Sequence, residues 1–334
     1  MSIVAGSRFA NQVVLGLISL SGSALPAQAI LPAQAILVGA PSATWDVAIT
    51  IDDVPMTGGG ECTAQELRAV TGALLRSLRQ ADVVATAFVI PGTPCQGPDA
   101  SSSIAIARQW REAGHAVGNH SWSHGDFNGV PTTEYLRDVA RADDALAPLL
   151  RESGQADRWY RPPLLHTGPT LAKQQALTRW LERAGYRMGV VTIDNQEWVF
   201  AAAYLRARQA GDDSLVARIV AAYLLHLEES VAYYRELSQR LFTRDVPQVL
   251  LLHANRLNAD HLDKVLALLR RRGARFVPLR NALADPAYAR PDEYVGPRGL
   301  SWLQRWAMAD GVPVPPEPRE PAWVGAAARG SIAR

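Results

Sequence analysis

His120 and His124 stand four residues apart in Gly118-Asn119-His120-Ser121-Trp122-Ser123-His124, and an Asp52-Asp53 pair lies upstream. Two imidazoles and a carboxylate can bind a divalent cation while leaving positions open for water and substrate, so the residue types point to metal-assisted hydrolysis. The surroundings distinguish this pair from the helical zinc-protease motif. Ala116-Val117-Gly118 precedes it and Gly125, Asp126, Asn128 and Gly129 follow, the pattern of a strand end and loop. Ser121 stands where those proteases carry their glutamate base.

Such residues act together only if the fold brings them together. From residue 46, short apolar runs alternate with helical patterns: Val47–Ile51, Val83–Ile90, Ala116–Val117, Arg158–Arg161, Met188–Ile193, Val249–Leu252 and Ala274–Val277. Helices are predicted between them at about 63–80, 101–114, 132–152, 169–185 and 258–273, several stopping on a glycine. Strict alternation is the mark of a parallel sheet with crossover helices. The expected fold class is α/β, a distorted (β/α) barrel of about seven parallel strands. Asp52-Asp53, Asn119-His120, Arg161, Asp194 and His253 then each fall at or just past the C-terminal end of a strand, where barrel enzymes assemble their sites.

In that arrangement the sequence resembles the NodB-homology polysaccharide deacetylases of carbohydrate esterase family four. Five motifs occur in order over about residues 46–280. Thr50-Ile51-Asp52-Asp53 is similar to the first, whose leading Asp is the catalytic base and whose second Asp is a metal ligand. His120-Ser121-Trp122-Ser123-His124 resembles the second, which supplies two metal-bound histidines. Arg161-Pro162-Pro163 resembles the third, whose Arg holds the base. Asp194-Asn195-Gln196-Glu197-Trp198 and Leu251-Leu252-His253 resemble the fourth and fifth, in which the Trp and Leu line a pocket for the acetyl methyl and the His is the general acid.

The resemblance implies a metal-dependent deacetylase, with Asp53, His120 and His124 holding one divalent ion, Zn²⁺ first among candidates. Two departures stand out. Glu197, one methylene longer, replaces the Asp that usually precedes the Trp and orients the acid, leaving Glu197 or Asp194 for that role. Leu164-Leu165-His166 replaces the usual aromatic-Gly ending of the third motif, and His166 is read either as a substrate contact or as a loop hydrogen-bonding residue. The expected substrate is an acetylated carbohydrate, N-acetyl ahead of O-acetyl. A non-carbohydrate C–N hydrolase of the cyclic-amide type and a catalytically silent carbohydrate-binding protein are the alternatives.

The rest of the chain sets bounds. With 334 residues, 48% of them hydrophobic and 20% charged, it can bury a large core. A net charge of +2 without a basic run gives no footprint for nucleic acid or an anionic membrane. His115, His226 and His261 fall in or beside helical patterns and read as packing or surface residues. Gly58-Gly59-Gly60 lacks the Lys and Ser/Thr of a phosphate loop and reads as a flexible border of the cleft.

Residues 1–35 read as an export signal. Arg8 precedes the apolar Val13–Leu20 stretch, and Ala27-Gln28-Ala29 and Ala33-Gln34-Ala35 offer two cleavage sites, within a hexapeptide repeated at 25–30 and 31–36. The stretch is too short to span a bilayer, so a periplasmic or secreted protein without an integral span is expected. In that compartment Cys62 and Cys95 either form one disulfide or remain free thiols. The barrel is expected over 36–285, with a helical insertion at about 199–242 whose long amphipathic run spans 213–242. A Pro- and Trp-containing extension covers 286–334 and is expected to wrap the barrel and end flexibly.

Overall fold

The computed structural model describes residues 44–57, 63–92 and 100–330. The leader, Cys62, Cys95 and Gly58–Gly60 lie outside the described residues.

Eight strands form one sheet: β1 (Trp45–Val54), β2 (Thr86–Val89), β3 (Ala116–Asn119), β4 (Trp159–Tyr160), β5 (Arg187–Met188), β6 (Ile193–Asp194), β7 (Gln248–His253) and β8 (Ala274–Phe276). The spatial order is β5-β4-β3-β2-β1-β7-β6, with β8 pairing the start of β1, and every pairing is parallel. The crossovers are α1 (Ala64–Gln80), α2 (Ala100–Glu112), α3 (Thr132–Glu152), α4 (Leu171–Arg183), α5 (Glu197–Gln209), α6 (Asp213–Phe242) and α7 (Arg256–Arg271). Polar side chains start several of them: Thr63, Thr170, Asp212 and Asn255 each accept a backbone N–H of the first turn. Among the described residues no helix is long and apolar enough to cross a membrane.

The single strand expected over Met188–Ile193 is two short strands at opposite edges of the sheet, joined by residues 189–192. Steric room decides this. A Cβ on Gly189 would lie 2.3 Å from the Phe88 ring, so only glycine lets the chain cross there. The crossing leaves β4 through Gly189 N–H to Tyr160 O (2.7 Å) and reaches β7 through Thr192 N–H to Val249 O (3.0 Å). The carbonyls of Gly189 and Val190 instead accept hydrogen bonds from Arg161.

The helical insertion is two helices, α5 and α6, turned at Gly211. α5 buries residues all round, including Val199, Phe200, Ala203, Tyr204 and Ala207. The extension does not end flexibly within the described residues. After the short α8 (Leu279–Ala282), α9 (Trp302–Ala309) starts on a Ser301/Gln304 capping box and buries Trp302 and Trp306, and α10 (Ala322–Arg329) packs on α5. Burial of two large rings outweighs the local effect of the prolines.

Candidate active site

The parallel sheet places every chemically interesting strand end on one rim. The β1–β7 register sets Asp52 beside His253 across 201 residues of sequence, and Ala254 N–H donates to Asp52 O at 2.9 Å. Neighbouring residues in a strand point to opposite faces, yet both Asp52 and Asp53 line the same cleft. The left-handed backbone of Asp53 (φ 57°) breaks the alternation and makes this geometry.

A polar web shapes the histidine loop. The Asn119 side chain accepts Ser121 N–H and donates to Val139 O, Ser121 Oγ accepts His124 N–H, and Asp138 Oδ2 accepts the N–H groups of Trp122 and Ser123. His120 Nδ1 donates to Arg161 O at 2.8 Å, which leaves its Nε2 as the free lone pair. Nε2 of His120 lies 3.3 Å and Nε2 of His124 3.1 Å from Asp53 Oδ1. That oxygen is buried and makes no hydrogen bond of sound geometry.

One oxygen and two ring nitrogens within 4.8 Å of one another fit a divalent cation in both donor chemistry and spacing. Burial by itself would raise the Asp53 carboxyl, but the adjacent His120 and His124 imidazoles, with His253 nearby, hold it well below the usual carboxylate range. Burial would likewise lower His124, and Asp53 beside it prevails to raise it.

Two further pairs flank this cluster. Arg161, fully buried, donates from Nη1 to Asp52 Oδ1 (2.6 Å) and Thr50 Oγ1 (2.8 Å) and stacks on Phe88 at 4.1 Å. Since its Nε and Nη2 serve the strand crossing, one guanidinium fork both stabilises the open side of the sheet and fixes Asp52.

On the other side His253 Nδ1 is 2.7 Å from Glu197 Oε2. Glu197 Oε1 accepts from Asn255 and from Asn258 (2.8 Å), and Asn258 also donates to His253 O (2.9 Å). Burial would lower the His253 pKa, but the Glu197 charge and hydrogen bond, helped by Asp53 and Asp52, push it up to about 10.

Asp194 does not touch His253. Its Oδ1 accepts Gln196 N–H at 3.0 Å, and its carboxyl, pushed up to about 6 chiefly by burial, lines the cleft instead. Position explains the choice between the two acids: Glu197 opens α5 and projects into the strand-end rim, whereas Asp194 is tied to the turn before it. His166 is outside the cleft lining. Its Nδ1 lies 2.7 Å from Asp126 Oδ1 and 2.9 Å from Asn128 Nδ2, so it ties loops together. Leu164, Leu165, Trp198 and Leu251 do border the cleft, whose volume is about 510 Å³. A larger cavity of about 770 Å³ between α4 and the extension contains none of the convergent groups.

The profile described as polysaccharide deacetylase matches residues 41–188, the stretch that holds Asp52, Asp53, His120, His124 and Arg161. Over that stretch the chain is similar to polysaccharide deacetylases. It is 24% identical over 237 residues to a peptidoglycan-N-acetylglucosamine deacetylase of Bacillus cereus, covering 70% of this chain and 66% of that one. It is 32% identical over 119 residues to a chitin deacetylase of Colletotrichum lindemuthianum, covering 36% and 42%. The chain thus spans less than two thirds of these relatives' lengths. A solved polysaccharide deacetylase from Bacillus cereus superposes with a TM-score of 0.46 at 20% identity, over 70% of this chain and 91% of that one.

Several contributors to this deacetylase-like site were missed from sequence. Asn255 caps α7 by accepting Asn258 N–H, both side chains donate to Glu197, and a capping signal at Asn255 two residues past His253 was legible. Asp138 lies inside α3 and carries no local signal. Gly299 reaches the cleft from the extension.

Proposed function

We propose that the protein is a metal-dependent hydrolase that removes acetyl groups from carbohydrate, N-acetyl ahead of O-acetyl, in the periplasm or outside the cell. The observation that carries this reading is the convergence of the Asp52–Arg161 and His253–Glu197 pairs on either side of the Asp53, His120 and His124 cluster. Peptidoglycan and chitin deacetylases among the relatives favour N-acetylglucosamine polymers as the class.

Asp53, His120 and His124 would hold one divalent ion, with Zn²⁺ the first candidate for two imidazoles and a carboxylate. When bound, such an ion polarises a carbonyl and lowers the pKa of water from about 16 to about 7. Asp52, kept in place by Arg161, is the base that takes a proton from the attacking water. Oxygen adds to the acetyl carbon, the C–N bond breaks, and acetate and a free amine leave. His253 enters as imidazolium and donates its proton to the departing nitrogen, while Glu197 stabilises the charged ring. Trp198 and Leu251 border the space for the acetyl methyl.

Acetate release from N-acetylated chitooligosaccharides, peptidoglycan fragments and acetylated xylan, with a cyclic amide alongside, tests the reading in metal-reconstituted protein. Turnover of an N-acetyl sugar that is lost in Asp52→Asn is the expected result. Hydrolysis of the cyclic amide alone, or no turnover with a full complement of metal, would overturn it.

A further inference from the structure

The extension beyond the family-like sheet reaches into the cleft. Leu164 and Leu165 have positive φ (58° and 55°), a conformation bulky side chains adopt only where the surroundings over-determine it. Residues 292–305 supply the surroundings. A Cβ on Gly299 would lie 2.0 Å from Leu164 O, so this segment of the extension lies directly against the loop backbone. Arg305, 1% exposed, donates to Leu165 O (2.6 Å) and Thr167 Oγ1 (3.1 Å) and is neutralised by Asp292 (2.6 Å).

The segment is itself anchored twice. Asn128, in the loop after the metal-site histidines, donates to Pro297 O at 2.7 Å, and Trp302 N–H donates to Val191 O at 2.8 Å in the strand crossing. The held loop presents Leu164 to the cleft, where it and Trp198 are 52% and 58% exposed, two large apolar side chains uncovered in the same concavity as the metal-site cluster. Exposed apolar groups on a cleft wall, fixed at a conformational cost, are built for a ligand surface.

We propose that the C-terminal extension belongs to the substrate-binding apparatus: Gly299 and Arg305 are positioning residues that hold the Leu164–Leu165 loop, and Leu164 is a specificity-determining residue that packs on the apolar face of a sugar ring. This rests on the carbohydrate deacetylase reading. Leu164 touches substrate without taking part in proton transfer, so its loss weakens binding of an extended sugar more than binding of a small acetyl ester.

The test compares wild type, Leu164→Gly, Gly299→Ala and the double variant, all as full chains loaded with Zn²⁺, on N-acetylchitotetraose and on 4-nitrophenyl acetate. Leu164→Gly suits a positive φ, so this variant keeps the proposal testable if Gly299→Ala fails to fold. Each single variant should raise KM for the tetrasaccharide about tenfold, the scale of one lost apolar contact, and more than it raises KM for the small aryl ester. The double variant should fall well short of the product of the two effects, because both act through one loop. An unchanged KM in Leu164→Gly, or equal losses on both substrates, overturns the proposal. If wild type hydrolyses the aryl ester but releases no acetate from the sugar, the deacetylase reading itself fails, and this inference fails with it.

Discussion

Glu197 and His253 form a closed unit: one carboxylate oxygen sits 2.7 Å from His253 Nδ1, and the other is occupied by Asn255 and Asn258. A carboxylate so satisfied has no freedom to swing away, and it is 1% exposed. The extra methylene of a glutamate at this position is accommodated by its place on the first turn of α5.

The pH dependence of activity follows. His253 must carry its proton to act as acid, and its pKa lies at about 10, so kcat/KM should decline as pH rises through the alkaline range rather than near neutrality. Glu197→Gln removes the negative neighbour that favours the imidazolium and should move that limb to lower pH by at least about one unit. Asp194→Asn should leave it nearly in place, because Asp194 makes no contact with the ring. A pH–rate profile for each variant measures both; a larger shift in Asp194→Asn would contradict the assignment.

Metal content should separate the adjacent aspartates. Asp53→Ala, His120→Ala and His124→Ala each remove one of three converging ligand atoms and should lose the ion on dialysis. Asp52→Asn should retain about one equivalent while losing about 10²-fold or more in kcat, as expected for a lost general base. Elemental analysis beside kinetics decides it, and an Asp52→Asn protein free of metal would make Asp52 a ligand.

Arg161→Met should be severely destabilising. It leaves Asp52 as a buried charge without its partner and strands the Gly189 and Val190 carbonyls, a loss of about 3–5 kcal/mol. Urea unfolding should show it as a lower midpoint with a similar slope. A midpoint at the wild-type value would show that Asp52 and the strand crossing find other partners.

The extension should matter for stability as well as for the cleft. Trp306, 2% exposed and in edge contact with Phe242 and Tyr288, should cost about 3–5 kcal/mol when cut to alanine. A Trp306→Ala protein as stable as wild type would mean that the extension is only loosely applied to the barrel.

What the sequence determined by itself is the local and periodic part of this protein. Alternation of strand and helix patterns specified the parallel sheet, helical spacing specified α6 to its observed ends, and the same reading located Asp52, Asp53, His120, Arg161, Asp194 and His253 at or just past strand ends. Those signals survive in one dimension because hydrophobic periodicity and strand-end chemistry are written in neighbouring residues.

Tertiary structure decided everything that depends on which distant groups meet. An apolar run at 188–193 cannot reveal that it divides between opposite edges of a sheet, because the reason is the Phe88 ring against Gly189. Two acids three residues apart, Asp194 and Glu197, look equivalent until the turn before α5 aims only one at His253. A Pro-rich tail reads as loose until Trp302 and Trp306 find the barrel, and His166 until Asp126 and Asn128 capture it. In each case burial and hydrogen-bond satisfaction between residues far apart in sequence overrode the local preference.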